Sequence, residues 1–126
     1  MTTTRLEALQ TLLQAIRDYL KLNDQWRAAW RYADRRARIA EPRRQAYNLV
    51  EIRRNQLHQL LNDNTDDPTY LDRQARALIE KWDHRNQQFE IYRAEGHRQN
   101  LQHLDTAEKT LKDRCSAIIE IINKTT

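Results

Sequence analysis

Gly96 is the one glycine of this chain, and Pro42 and Pro68 are its two prolines. Over 126 residues that leaves few positions suited to tight reversals, which draw on Gly, Pro and Asn. An all-β or α/β fold needs many such reversals. Leu, Ala, Arg, Gln, Glu and Lys dominate instead, and most of these favour helix because they lose little rotamer freedom there. The chain is therefore expected to be all-α: an antiparallel helical bundle, or a long helical hairpin, of about four to five helical segments. It is read as a single domain over residues 1–126.

Apolar spacing supports helices. Leu6, Leu9, Leu13, Ile16 and Leu20 step by three and four, after a Thr2–Thr4 run that supplies an N-cap. A second stripe in another phase runs through Trp26, Trp30, Ala33, Ala37 and Ala40. Asp24 either caps a new helix there or lies in a helix that runs on. Pro42 disrupts a helix interior, so a break or kink is expected at Ala40–Pro42. Ala46, Val50, Leu57 and Leu60/Leu61 mark the next face, with Tyr47, Leu49 and Ile52 beside it. The polar run 62–68 reads as a loop, with Asp67 as N-cap and Pro68 in the first helical position. Leu71, Ala75, Leu78, Trp82, Arg85, Phe89 and Tyr92 then alternate steps of four and three up to a second expected break near Gly96. Leu101, Leu104, Leu111, Cys115, Ile118 and Ile122 resume the stripe. Two architectures satisfy these patterns. One has two long helices, 5–62 and 68–123, folded into a hairpin; the other is a bundle broken at Pro42 and Gly96. The hairpin form leaves a seam that a homodimer could cover.

Mean hydropathy is −1.00 and 32% of residues are charged, a composition shared with disordered chains. The long apolar stripes and the aromatics argue for folding. No apolar run approaches the ~20 residues of a membrane span. The opening MTTTRLEALQ lacks the apolar region of a signal peptide, and one cysteine forms no internal disulfide, so a cytoplasmic protein without membrane contact is expected.

The net charge of +4 is local. Between Asp24 and Leu60 nine arginines face four acids. On one continuous helix Arg27, Arg31, Arg35 and Arg38 would stack along a face beside Trp26 and Trp30, with Arg36, Arg43 and Arg44 extending the positive surface. Like charges one turn apart repel, and a polyanion removes that cost. Forked, permanently charged guanidinium groups suit phosphate. The candidate binding residues are thus Arg27, Arg31, Arg35, Arg36, Arg38, Arg43, Arg44, Trp26 and Trp30. The expected partner is the phosphate backbone of RNA or DNA, within a larger complex. The alternative is a helical adaptor or chaperone-like subunit that grips an acidic protein. A third reading is a merely solvated face, with Asp34 pairing Arg38 or Arg31 and Glu41 pairing Arg44 or Arg38. The tryptophans are expected in the core, with Trp26 or Trp30 the first to be exposed; Tyr32, Tyr47 and Tyr92 are candidates for interface edges.

Catalytic signatures are few. The chain has no glycine-rich phosphate loop, nucleophile elbow or metalloprotease motif, and nothing implies a cofactor. None of His58, His84, His97 and His103 has an acid three residues before it, as helical di-metal sites require. Arg53-Arg54-Asn55-Gln56-Leu57-His58 and Arg98-Gln99-Asn100-Leu101-Gln102-His103 both read Arg-x4-His, a spacing that resembles HEPN-type ribonucleases. The resemblance would make the histidines acid–base groups and the arginines holders of the scissile phosphate. It spans six residues each time, and Arg54 and Gln99 stand where that family usually carries a short polar residue. A non-enzymatic binding protein is the expected function.

Overall fold

The structure, a computed structural model, describes residues 1–125. It is all-α, with α1 over Thr3–Ala28, α2 over Ala33–Asn62, α3 over Tyr70–Glu95 and α4 over Arg98–Thr125. The chain divides into two compact units, residues 1–65 and 66–126. Each is a helical hairpin: α1 packs on α2, and α3 on α4. The single helix over 5–62 required by the long-hairpin architecture does not form, because the chain reverses at residues 29–32.

In the first unit, Thr2 caps α1 by accepting from the Arg5 amide at 3.3 Å. The expected stripe is the buried face: Leu9, Leu13, Ile16 and Leu20 are buried, together with Leu12, Ala15, Tyr19 and Asn23. Asp24 starts no helix; α1 runs on to Ala28. Ala33, Ala37 and Ala40 are exposed, since α2 begins in its own phase after the turn. The break expected at Pro42 does not occur either. Pro42 lies inside α2, as its tenth residue, on the solvent side. A proline there removes one backbone donor, and water can satisfy the Arg38 carbonyl left behind. Both sides of it are tied down: Arg36 donates to the Trp30 carbonyl before it, and Arg43 to Asn23 of α1 just after it, with Val50, Leu57 and Leu61 buried beyond.

In the second unit, the loop after α2 ends two residues later than expected. Thr69, not Asp67, is the N-cap of α3. Its hydroxyl accepts from the Asp72 amide at 3.1 Å, and Asp72 Oδ2 accepts from the Thr69 amide at 2.9 Å. This reciprocal pair satisfies two donors that a helix start otherwise leaves open. Gly96 ends α3 at φ 69°, a left-handed conformation that disfavours any residue with a Cβ, so this break falls where expected. Ala75, Leu78 and Trp82 on α3 meet Leu104, Leu111, Cys115, Ile118 and Ile122 on α4, all buried. Two charged residues, Arg85 of α3 and Glu108 of α4, meet within this buried face. Arg85 is 2% exposed and donates to Glu108 Oε2 through Nε and Nη2, each at 3.3 Å.

Candidate functional site

The charge asymmetry of the sequence coincides with the division of the chain. The first unit carries twelve Lys and Arg against seven Asp and Glu, whereas in residues 66–126 acids outnumber bases by one. Within the first unit the arginines do not form one ladder. Arg27 closes α1, Arg31 lies in the turn, and Arg35, Arg36 and Arg38 begin α2. They gather around a reversal rather than along a helix face.

That reversal is built without glycine. The Ala29 amide reaches the Gln25 and Trp26 carbonyls at 3.1 and 3.2 Å, and the Tyr32 amide reaches Ala29 O at 2.8 Å. Ala29 is buried and anchors the turn. Among the described residues no non-glycine has a positive φ. The turn thus needs no left-handed residue: Ala29 sits at φ −92°, ψ 10° and Tyr32 is extended at φ −117°, ψ 91°, conformations open to any residue, which is why no punctuation marks it in the sequence.

Burying Ala29 turns its neighbours outward. Trp30 is 61% exposed and Tyr32 57%. The Arg31 guanidinium lies over the Trp30 ring, 5.3 Å from its centroid, and that of Arg35 lies 4.8 Å from the Tyr32 centroid. Arg36 Nη1 donates to the Trp30 carbonyl at 2.9 Å and pins the turn to α2. A groove of about 340 Å³ opens alongside, lined by Gln25, Ala28, Ala29, Arg35, Arg38 and Ile39. Among the described residues no carboxylate pairs with Arg31, Arg35 or Arg38; neither Asp34 nor Glu41, the nearest acids in sequence, pairs with any of them.

Two other arginines are committed elsewhere. Arg44 forks onto Glu41, a surface pair whose hydrogen bonds hold the Glu41 carboxyl below its usual range. Arg43 turns inward between α1 and α2. Its Nε donates to Asn23 Oδ1 at 2.9 Å, its Nη2 to the Tyr19 hydroxyl at 3.3 Å, and its guanidinium stacks 4.5 Å from the Trp26 centroid. Trp26 is accordingly half-buried, and Arg43 belongs to the hairpin's interior rather than to its positive surface. Tyr19 and Asn23 were not legible as its partners, but a signal existed. Arg43, Val50 and Leu57 recur every seven residues, so Arg43 occupies a seam position.

Arg43→Ala is expected to cost about 2 kcal/mol. It removes charge-assisted hydrogen bonds to the buried Asn23 and the stack on Trp26. Arg43→Lys should recover less than half, because an ammonium cannot reproduce the fork. Hydrogen exchange of α1 and α2 amides reads both, and an alanine variant as protected as wild type would refute the interior role.

The remaining sequence candidates are dispersed. His58 contacts the Asn62 amide nitrogen at 3.0 Å, and Arg53 donates to Gln56 at 3.1 Å. Arg53 and His58, five residues apart on α2, point to different sides of it. Arg98 and His103 are exposed on α4, and Cys115 is buried. A wider groove of about 660 Å³ runs between Thr4–Thr11 of α1 and Arg53–Leu60 of α2, lined mainly by uncharged side chains with Glu7 opposing Arg53. Among the described residues no cluster of three potential ligands could hold a metal, and no helix is long and apolar enough to cross a membrane. No family model, curated protein or solved structure matches the chain.

Proposed function

We propose that this chain is a non-enzymatic binding protein whose α1–α2 turn contacts the phosphate backbone of nucleic acid. The observation that carries the reading is the set Arg31, Arg35 and Arg38: three exposed guanidinium groups around one turn, with no carboxylate partner among the described residues, on the basic half of the chain. On a merely solvated face Arg38 would be expected to pair with Asp34 or Glu41, which lie four and three residues from it on α2, yet Glu41 is taken by Arg44 and Asp34 pairs with none of the three arginines. Left uncompensated, they repel each other, and an approaching row of phosphates relieves that repulsion by forked hydrogen bonds. Such contacts fix backbone without reading sequence.

Fluorescence anisotropy with single- and double-stranded DNA and RNA at about 50 and about 200 mM salt tests the proposal. Wild type should bind with an affinity that falls log-linearly in salt. The Arg31→Ala/Arg35→Ala/Arg38→Ala variant should lower the magnitude of the slope by roughly two to three. Absence of binding to all four at low salt would sink the proposal and favour an acidic protein partner, for which exposed Trp, Tyr and Arg are equally suited.

A further inference from the structure

The turn offers more than charge. A ligand held by phosphate alone would need the arginines but not two large aromatic rings in water. Trp30 and Tyr32 are the two most prominent exposed aromatics of the first unit, and they flank one residue, Arg31. Hydration of exposed ring surface is unfavourable, and with a guanidinium over each ring more than half of both side chains still faces water. Their backbone is fixed by the Tyr32 amide on Ala29 O and by Arg36 on the Trp30 carbonyl, so the rings are presented from an ordered turn.

We infer that the α1–α2 turn takes single-stranded nucleic acid, with Trp30 and Tyr32 stacking on unpaired bases while Arg31, Arg35 and Arg38 hold the adjoining phosphates. This rests on the phosphate-binding reading and narrows it. A duplex hides the faces of its bases within the stack; a single strand exposes them. Stacking on an aromatic side chain is sequence-tolerant because every base has a π-face. The Arg31 and Arg35 guanidinium groups lie over these rings, so a stacked base would meet a cation placed for the phosphate beside it. With most of the Trp30 surface exposed, a base has room beside Arg31 or in its place. The groove bounded by Ala28, Ala29, Arg35 and Arg38 lies alongside the turn and carries two of the cations.

The test pairs two ligands with two variants of the full chain. The ligands are a short oligothymidylate and inorganic polyphosphate, which has the charge but no bases. The variants are Trp30→Ala/Tyr32→Ala and the triple arginine-to-alanine protein. The aromatic variant should bind oligothymidylate about tenfold or more weakly yet bind polyphosphate like wild type. The arginine variant should weaken on both. Trp30→Phe, which keeps a stacking face, should recover part of the oligothymidylate affinity. Equal behaviour of the aromatic variant and wild type on oligothymidylate overturns the stacking inference and leaves the phosphate reading standing. Failure of wild type to bind either ligand overturns both. Since both side chains are exposed, circular dichroism of the variants should match wild type, and a loss of helicity shared by Trp30→Phe would also count against a turn that presents rather than packs these rings.

Discussion

Glu108→Ala is expected to destabilise the α3–α4 hairpin by about 3–5 kcal/mol. Arg85 is among the most deeply buried side chains of the protein, and its Nε and Nη2 both rest on Glu108 Oε2. Asn86 Oδ1 accepts from Nη1 at 3.1 Å, and the Phe89 ring centroid lies 5.1 Å from the guanidinium. Arginine cannot shed its proton to escape burial, so the truncation takes the Glu108 carboxylate away from a nearly fully buried charge. The pair itself contributes little net stability, because separating two ions from water costs as much as their attraction returns. Arg85→Met/Glu108→Leu should therefore lie within about 1 kcal/mol of wild type. Urea unfolding with hydrogen exchange at α3 and α4 amides resolves the cycle. Similar stability of Glu108→Ala and the double variant would show that the charge is solvated, contrary to its burial.

Pro42→Ala should act in the opposite direction and stabilise α2 by about 2–3 kcal/mol. Alanine restores the backbone donor to the Arg38 carbonyl and removes the ring that crowds it. Part of the gain is offset because proline also restricts the unfolded chain, by about 0.5–1 kcal/mol. The side chain faces solvent, so the substitution opens no cavity. The change has a functional side. Residues 33–41 bury no side chain fully and are tied to the turn chiefly through Arg36 and the half-buried Ile39. Proline thus leaves this basic segment, about two and a half turns of α2, without one backbone hydrogen bond next to the turn that presents Trp30 and Arg31. Slower hydrogen exchange over residues 35–46 and a higher urea midpoint are expected. A lower midpoint would mean that the packing of Arg43 and Val50 depends on a bend at Pro42.

The candidate site was partly legible. The basic stretch stands out in any charge count, and Trp30 was singled out with Trp26 as an aromatic to expose. What periodicity suggested wrongly was the geometry. A helix continued through residues 24–40 aligns Arg27, Arg31, Arg35 and Arg38, but the reversal at 29–32 separates them onto two helices and a turn. Arg43 looked like one more surface cation, although its seven-residue spacing to Val50 and Leu57 places it on the packed side.

The amino-acid sequence by itself determined the helical class, the inward faces of α1, α3 and α4, the break at Gly96 and the basic character of the first half. These follow from local terms: propensity, apolar spacing, the left-handed preference of glycine and fixed charge. Tertiary structure alone decided where α1 reverses, that Pro42 is carried inside a helix, and which arginines face inward. A turn that needs no positive φ leaves no mark in residue type. The penalty of one proline, a few kcal/mol, is outweighed by the apolar area that α2 buries against α1. Whether an arginine turns in or out depends on the acceptors a neighbouring helix offers, and Asn23 and Tyr19 meet Arg43 only after the chain has folded back.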